Sequence, residues 1–266
     1  MSLEWETLEV LKLPAYLGGV LLFLLIELAY SYRPSTVSKA RRWLTNLPLA
    51  MVNGVVYILI FGSSIAGLML LAQEHNLGLL NAIAMPYWLK LAAGVLILDF
   101  FIWLWHLLNH QVPLLWRFHR VHHSDMNMDV STASRFHLGE ILLSGLVRLA
   151  VIYTFGIPLM AYLLFEILVN LSIQFHHSSL RISPVFEKIW VLLLVPPFLH
   201  RIHHSVKIKE RDTNYGVIFS IWDRFFGTLL TRVEQEGILI GIGSHREFKQ
   251  LGFFRLLAMP FTRYTR

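Results

Sequence analysis

The chain alternates long apolar runs with short polar loops, and the run lengths predict where it crosses a bilayer. Three runs come first, at about residues 13–30, 47–71 and 88–108. A longer run, 141–173, is interrupted by Gly156 and Pro158 and exceeds the roughly 20 residues of one span. It predicts two helices or a hairpin that enters and returns. The run 190–199 is too short to cross, so we expect it in the membrane interface.

The polar loops predict an orientation. The loop 31–46 has four basic residues and no acid, so we expect it on the cytoplasmic side, whereas the loop 73–87 has no basic residue and should face out. The third span then returns to the cytoplasm near His110. If the 141–173 run is a hairpin, the chain after it is also on the cytoplasmic side. The start carries Glu4, Glu6 and Glu9, unlike the basic start of a signal peptide, so we expect a retained first helix.

Composition supports a membrane protein. Of the 266 residues, 55% are hydrophobic and only 15% charged, against about 25% charged in a soluble domain. We expect one all-α membrane-embedded domain over residues 1–266, with four or five hydrophobic helices and a cytoplasmic helical cap. The net charge of +6 fits loops facing anionic lipid, and no basic cluster is interleaved with aromatics as for nucleic acid. The absence of cysteine excludes disulfides, thiolate metal sites and cysteine nucleophiles.

Ten of the thirteen histidines fall into four short groups. These are His106/His110, His119/His122/His123, His176/His177 and His200/His203/His204. Residues three and four apart share a helix face, so each His-x-x-His-His box should present two or three imidazoles to one metal centre. Chance would place one such box in roughly 3% of chains with this histidine content, so two boxes indicate a metal site. His75 and His245 are expected to be ordinary surface side chains.

The ligand types narrow the metal. All-nitrogen ligation suits zinc, iron, copper or nickel, and about nine histidines exceed the three or four ligands of one zinc site, which implies two ions. Leu107 stands where a His-Glu-x-x-His zinc hydrolase has its glutamate, and no Gly-x-Ser-x-Gly motif is present. Redox-active iron that uses dioxygen is therefore preferred over hydrolysis.

Carboxylates should orient the imidazoles through their second nitrogen. Asp99 lies seven residues before His106 on the same helix face, and an acid inside a span indicates a functional role. Further candidates are Glu140, Asp223, Asp125 and Asp129. The tryptophans Trp103, Trp105 and Trp116 are expected in the interfacial belt, and the alternative is that they line a substrate channel. Transport would predict ionisable residues deep in several spans, whereas here we expect only Asp99 to lie deep.

Residues 99–228 carry a set of motifs in a characteristic order. After Asp99 and the first histidine pair come Trp116-Arg-Phe-His-Arg-Val-His-His-Ser124, Arg135-Phe-His137-Leu-Gly-Glu140, His200-Arg-Ile-His-His-Ser205, Asn214-Tyr-Gly216 and Ser220-Ile-Trp-Asp-Arg-Phe-Phe-Gly-Thr228. This half of the chain resembles the fatty acid hydroxylase (sterol desaturase) superfamily of membrane di-iron enzymes. Leu138 replaces the family's usual proline, and Ser179 replaces an asparagine.

The resemblance implies a ligand set and a chemistry. The implied ligands are His106, His110, His119, His122, His123, His177, His200, His203 and His204, with His137 as a further ligand, while His176 stays open. Two iron ions, replaceable by zinc on purification, would hydroxylate or desaturate a sterol, fatty acyl or other long lipid with O2. A separate reductase with a ferredoxin or cytochrome would supply electrons. The expected location is the inner or plasma membrane, with the metals on the cytoplasmic face. The alternatives are a histidine-lined metal transport or storage protein and a zinc-dependent membrane hydrolase.

Overall fold

The computed structural model describes residues 2–263, and it describes side chains from Val10 onward, so those of Glu4, Glu6 and Glu9 lie outside the described residues. The first eight helices are α1 Ser2–Ala29, α2 Lys39–Tyr57, α3 Ser63–Glu74, α4 Leu79–Ala82, α5 Tyr87–Gln111, α6 Pro113–His123, α7 Leu138–Phe155 and α8 Leu159–His177. Five shorter ones follow: α9 Pro184–Trp190, α10 Pro197–His203, α11 Ile208–Arg211, α12 Ile221–Phe225 and α13 Phe253–Ala258. Within residues 2–263 the β-type contacts are three isolated bridges, which confirms the all-α prediction.

Five helical segments are long and apolar enough to cross a membrane. They are Val10–Ala29, Lys39–Ala82, Tyr87–Gln111, Leu138–Phe155 and Leu159–His177. In the second, a π-helical turn, Ile58–Gly62, joins α2 to α3. Leucines 17, 21 and 25 of α1 are more than half exposed on the free chain, as expected for side chains that face lipid tails. The number of spans therefore matches the prediction.

The 141–173 run forms the predicted hairpin. Helix α7 ends at Gly156, which adopts a left-handed φ of 62°, and Pro158 then precedes α8. The turn packs against Gly78, where an added Cβ would lie 2.2 Å from the backbone nitrogen of Gly156. The loop after α3 and the hairpin turn therefore meet at one end of the bundle, and the histidine ends of α5 and α8 lie at the other.

The 190–199 run is not one continuous helix: α9 ends at Trp190, a turn follows, and Pro197 begins α10. Proline cannot continue a helix but is favoured at its first position, so the two prolines start a new element. The position of this run in the membrane interface stays a prediction.

The expectation that only Asp99 lies deep inside the spans is wrong, because Arg148 of α7 forms an ion pair with Glu166 of α8. Opposite charges on neighbouring helices make such burial tolerable.

A buried polar network fixes α2 to the segment that follows α6. The Arg42 side chain, 1% exposed, donates to both carboxylate oxygens of Asp125 at 2.7 and 2.8 Å and to Asp129 at 2.6 Å. Arg135 continues the network by donating to Asn46 Oδ1 and to the backbone carbonyl of Val121. Because Val121 lies inside the second histidine box, this network connects α2 to the box.

Candidate metal centre

Nine buried histidines form two groups whose ligand atoms lie within 4.8 Å of one another in each group. The first, which we call cluster A, comprises His106, His110, His119, His123 and His203. The second, cluster B, comprises His122, His177, His200 and His204. The two clusters adjoin, since the ring of His123 stacks on that of His204 with centroids 4.4 Å apart. These nine are the residues named as ligands from the sequence.

Each His-x-x-His-His box is divided between the clusters, although the sequence analysis assigned each box to one centre. In α6, His119 and His123 belong to cluster A and His122 to cluster B. In α10 and His204, the residue that caps its C-terminus, the pattern is reversed, with His200 and His204 in cluster B and His203 in cluster A. The reason is helical geometry: positions i and i+4 nearly superpose, whereas adjacent residues diverge by about 100°.

Three histidines of cluster A are oriented from outside through their Nδ1 atoms. Nδ1 of His106 donates to the carbonyl of Tyr215 at 2.8 Å, and Nδ1 of His203 donates to that of Thr213 at 2.7 Å. Nδ1 of His119 donates to Oε1 of Glu140 at 2.8 Å. In a neutral imidazole with Nδ1 protonated, Nε2 carries a lone pair. The Nε2 atoms of His106, His119 and His203 are buried without a hydrogen-bond partner, so their lone pairs are available to a cation.

Cluster B brings four Nε2 atoms together. Nε2 of His177 lies 3.0 Å from that of His122 and 2.9 Å from that of His200, which lies 3.1 Å from that of His204. Nδ1 of His177 donates to the carbonyl of Ile173 at 2.8 Å. Two nitrogens each about 2.1 Å from one ion and at right angles would be about 3.0 Å apart. The spacing of these nitrogens therefore fits ligands of a shared ion.

Burial keeps five histidines of the two clusters neutral. Burial, reinforced by neighbouring imidazoles, lowers the pKa well below its ordinary value for His122, His123, His200, His203 and His204. A transition-metal ion binds only the neutral imidazole, so no proton needs to be displaced from these rings near neutral pH. The donor set contains imidazole nitrogen and no thiolate, which fits iron, zinc, copper or nickel.

Of the predicted carboxylates, only Glu140 contacts a histidine. Asp99 accepts hydrogen bonds from the backbone N–H groups of Ile218 and Phe219 and from Nε1 of Trp222 at 2.8 Å. The expected Asp99–histidine contact is therefore absent, because the 218–222 segment saturates this carboxylate.

Asp223 contacts no histidine either, and it acts through the backbone. It accepts from the N–H groups of Tyr215 and Gly216 at 2.9 and 2.7 Å, and from Nε1 of Trp103. It thereby fixes the segment whose Tyr215 carbonyl accepts from His106. Asp125 and Asp129 are engaged by Arg42.

The remaining histidines lie outside both clusters. Nδ1 of His137 accepts from the N–H of Gly139 at 2.9 Å and Nε2 faces the carbonyl of Leu257 at 3.1 Å, so both ring nitrogens are engaged and the expected further ligand is not brought to the site. His176 is buried beside His200, with ring centroids 4.1 Å apart. His75 is exposed and His245 half-buried, both away from the clusters.

Two tryptophans expected in the belt are core residues. Trp103 is 2% exposed and stacks on Phe226 with centroids 4.6 Å apart. Trp116 is 3% exposed, and its ring packs 5.1 Å from that of His110. Both therefore pack inside the metal-bearing end of the bundle, Trp103 against Phe226 and Trp116 beside His110.

The sequence analysis missed the acceptors that orient several histidines. Asp212 lies 3.2 Å from Nδ1 of His110, and the carbonyls of Thr213, Tyr215 and Ile173 orient three others. Backbone carbonyls have no signature in sequence, and Asp212 sits in a charged stretch that resembles an ordinary surface turn. The Asn214-Tyr-Gly216 motif marked the right segment but not its role.

The model of the fatty acid hydroxylase family matches residues 91–228, about half of the chain, including both clusters. The chain belongs to the fatty acid hydroxylase family. The family resemblance drawn from the histidine boxes is thereby confirmed. No solved structure matches the chain at a significant level.

Relatives of this fatty acid hydroxylase family member include lipid-modifying proteins. It is 31% identical over 67% of its length to the ornithine lipid hydroxylase of Rhizobium tropici, covering 52% of that protein. It is 33% identical over 52% of its length to a cholesterol 25-hydroxylase-like protein of Danio rerio, covering 55% of it. It is 30% identical over 58% of its length to the alkylglycerol monooxygenase of Homo sapiens, covering 33%. The chain thus spans about half or less of these relatives.

Proposed function

We propose that the chain is a membrane di-iron oxygenase that hydroxylates a lipid with O2. The observation that carries this proposal is the pair of adjoining, buried, all-imidazole clusters at one end of the spans. Two such clusters fit two ions, and the donor set fits a redox metal. The names of the relatives, two hydroxylases and a monooxygenase among them, favour hydroxylation over desaturation.

In this proposal cluster A holds one ion and cluster B the other. Iron in such sites would supply the one-electron and O2 chemistry that side chains cannot perform. In balance, the substrate C–H bond, O2, two electrons and two protons give an alcohol and water. Zinc, which shares this donor set, would fill the clusters without supplying that chemistry.

The chain's own part is to orient imidazoles and exclude water. The carbonyls of Tyr215 and Thr213 and the carboxylate of Glu140 accept from Nδ1, which turns each Nε2 inward. All nine histidines are buried. A closed site keeps bulk water from reactive species.

The location of the site suits a lipid. His106 and His110 end α5 and His177 ends α8, so the clusters adjoin the membrane-spanning segments. A long-chain substrate could reach them without leaving the apolar phase. The basic loop between α1 and α2 supports a cytoplasmic position. A separate reductase with a ferredoxin or cytochrome would deliver the electrons, since the described residues show no cysteine-ligated cluster.

One observation favours a second candidate, metal transport or storage. The Arg148–Glu166 pair places charge inside two spans, as a transport path would. The two charges neutralise each other, however, and the histidines lie at one end. A transporter would pass metal without consuming oxygen, and a zinc hydrolase would work without oxygen, so oxygen dependence separates both from the proposal.

The test is metal stoichiometry combined with oxygen consumption. Detergent-purified protein, kept anaerobic and reconstituted with ferrous iron, should hold about two ions per chain and consume oxygen on reduction. His203→Ala, in cluster A, and His200→Ala, in cluster B, should each lower the iron content, and His75→Ala serves as the matched control. One ion or none in the unaltered protein would overturn the two-metal proposal.

A further inference from the structure

A polar cleft lies beside cluster B, between the α1–α2 loop and α10. Its lining includes Arg33, Ser35, Asn127, Ser179 and Arg201. Ser178, also in the lining, follows His177, and Arg201 follows His200, so two lining residues directly adjoin cluster B residues in the chain. Among the described residues that line it, none is acidic.

Arg33 and Arg201 donate hydrogen bonds to neutral oxygens and not to carboxylates. Arg201 is 5% exposed, and its hydrogen bond is to the neutral Oε1 of Gln235 at 2.7 Å, while Tyr32 stacks 3.7 Å from its guanidinium. Arg33 donates to the carbonyl of Ile238 at 2.9 Å. Neither forms an ion pair with a carboxylate of the described residues. A buried cation is normally paired, so this pair lacks a counter-anion.

The nearest acid does not fill that role. Glu187 interacts with Arg201 only at a distance, and its Oε1 accepts from the N–H of Phe198 at 3.1 Å. Arg33 and Arg201 both line the cleft, so the two guanidinium groups repel each other across it. An anion bound between the two guanidinium groups would be attracted to both and would offset their mutual repulsion.

The other polar groups of the cleft are also suited to an anion. Oδ1 of Asn127 already accepts from Thr36 Oγ1 and the N–H of Val37, which leaves its Nδ2 as a donor. The hydroxyls of Ser35 and Ser179 add two more donors. Guanidinium, amide and hydroxyl donors with no carboxylate among them are the usual means of binding an oxyanion.

We propose that this cleft binds the oxyanionic headgroup, of phosphate type, of the lipid substrate. The identification of the anion as a substrate headgroup rests on the proposed lipid hydroxylase function, whereas the anion site itself does not. A lipid is favoured over an acidic protein because Arg201 is almost wholly buried, so a small headgroup can reach it and a protein surface cannot. The reacting carbon would then lie near the headgroup end of the chain.

The test is a binding titration with iron-reconstituted, detergent-purified full chain. Phosphatidic acid should bind about tenfold or more tightly than diacylglycerol with the same acyl chains, because charge-assisted hydrogen bonds are lost with the phosphate. Arg33→Gln, in a half-buried loop, should remove about tenfold of that preference, and Arg201→Gln at least as much. Arg255→Gln, an exposed arginine on α13, is the matched control and should retain the preference.

Several results would overturn the proposal. The lipid assignment is wrong if phosphatidic acid binds Arg33→Gln as it binds the unaltered chain, or if poly-glutamate competes and phosphatidic acid does not. Inorganic phosphate that competes at equal concentration would assign the cleft to a free anion instead of a headgroup. Iron content measured on the same samples separates the two proposals: a chain without iron that still prefers phosphatidic acid refutes the di-iron proposal alone.

Discussion

Replacing Glu140 should weaken one metal site and spare the other. Oε1 of Glu140 accepts from Nδ1 of His119 at 2.8 Å, and Oε2 is buried without a hydrogen-bond partner. Glu140→Gln keeps an acceptor oxygen but removes its charge. A hydrogen bond to a charged group contributes about 1.5–3 kcal/mol and a neutral one about 0.5–1.5 kcal/mol. The difference, about 1 kcal/mol, corresponds to a roughly fivefold loss of metal affinity at cluster A.

Glu140→Ala should cost more. It leaves the N–H of a 2% exposed His119 without an acceptor and frees the ring to rotate. Loss of such an outer partner typically weakens metal binding 10–100-fold, or about 1.4–2.7 kcal/mol. The iron affinity of cluster A should therefore be highest in the unaltered protein, lower in Glu140→Gln and lowest in Glu140→Ala.

The assay is competitive iron titration against a chelator, fitted to two coupled sites. The intrinsic affinity of cluster A should fall and that of cluster B should not, because cluster B has its own outer acceptors, such as the carbonyl of Ile173. Asp99→Asn is the matched control: it also removes a buried carboxylate charge, but this carboxylate binds the 218–222 segment and no histidine. Equal iron affinity in both Glu140 variants and the unaltered protein would refute the assigned role.

Three further predictions follow from the described contacts. Arg42→Ala should lower the free energy of unfolding by about 3–5 kcal/mol, measured by chemical denaturation, because Asp125 would stay buried without its ion-pair partner and Asp129 would keep only Lys39, at 3.9 Å. A loss below about 1 kcal/mol would contradict the network. His137→Ala should keep both iron ions while His203→Ala loses iron, as elemental analysis would show. The metal-free protein should lose stability as the pH falls below 6.5, the ordinary pKa of histidine. Below that pH the histidines of the unfolded chain bind protons, whereas the buried histidines of the two clusters stay neutral because their pKa is lowered. The slope should reach about 1.4 kcal/mol per pH unit for each histidine, and a flat profile from pH 7.5 to 5.5 would refute it.

The fold was predictable where it depends on local pattern. Apolar runs of spanning length revealed the spans, and Gly156 with Pro158 revealed the hairpin, because both signals lie within a few adjacent residues. The end of α9 was not predictable in the same way, because neither glycine nor proline occurs at residues 191–195 and the two prolines at 196 and 197 indicate only where α10 begins.

The site was predictable as a set of histidines but not as an arrangement. The spacing of each box places imidazoles on neighbouring helix faces, and the division of each box between two clusters depends on how α6 and α10 face each other. Asp99 shows the limit of such reasoning: it shares a helix face with His106, yet its partners come from residues 218–222, about 120 positions later. Contacts so far apart in sequence leave no periodic signal.

The division of each histidine box between the clusters links the two proposed metal sites thermodynamically. An ion in cluster A must fix both α6 and α10, and these same helices, with the C-cap residue of α10, supply three of the four ligands of cluster B. The conformational entropy of ordering them is then lost once, with the first ion, and the second ion binds to helices already in place. Metal loading should therefore be cooperative, and because such coupling is reciprocal, the order in which the sites fill does not change its size.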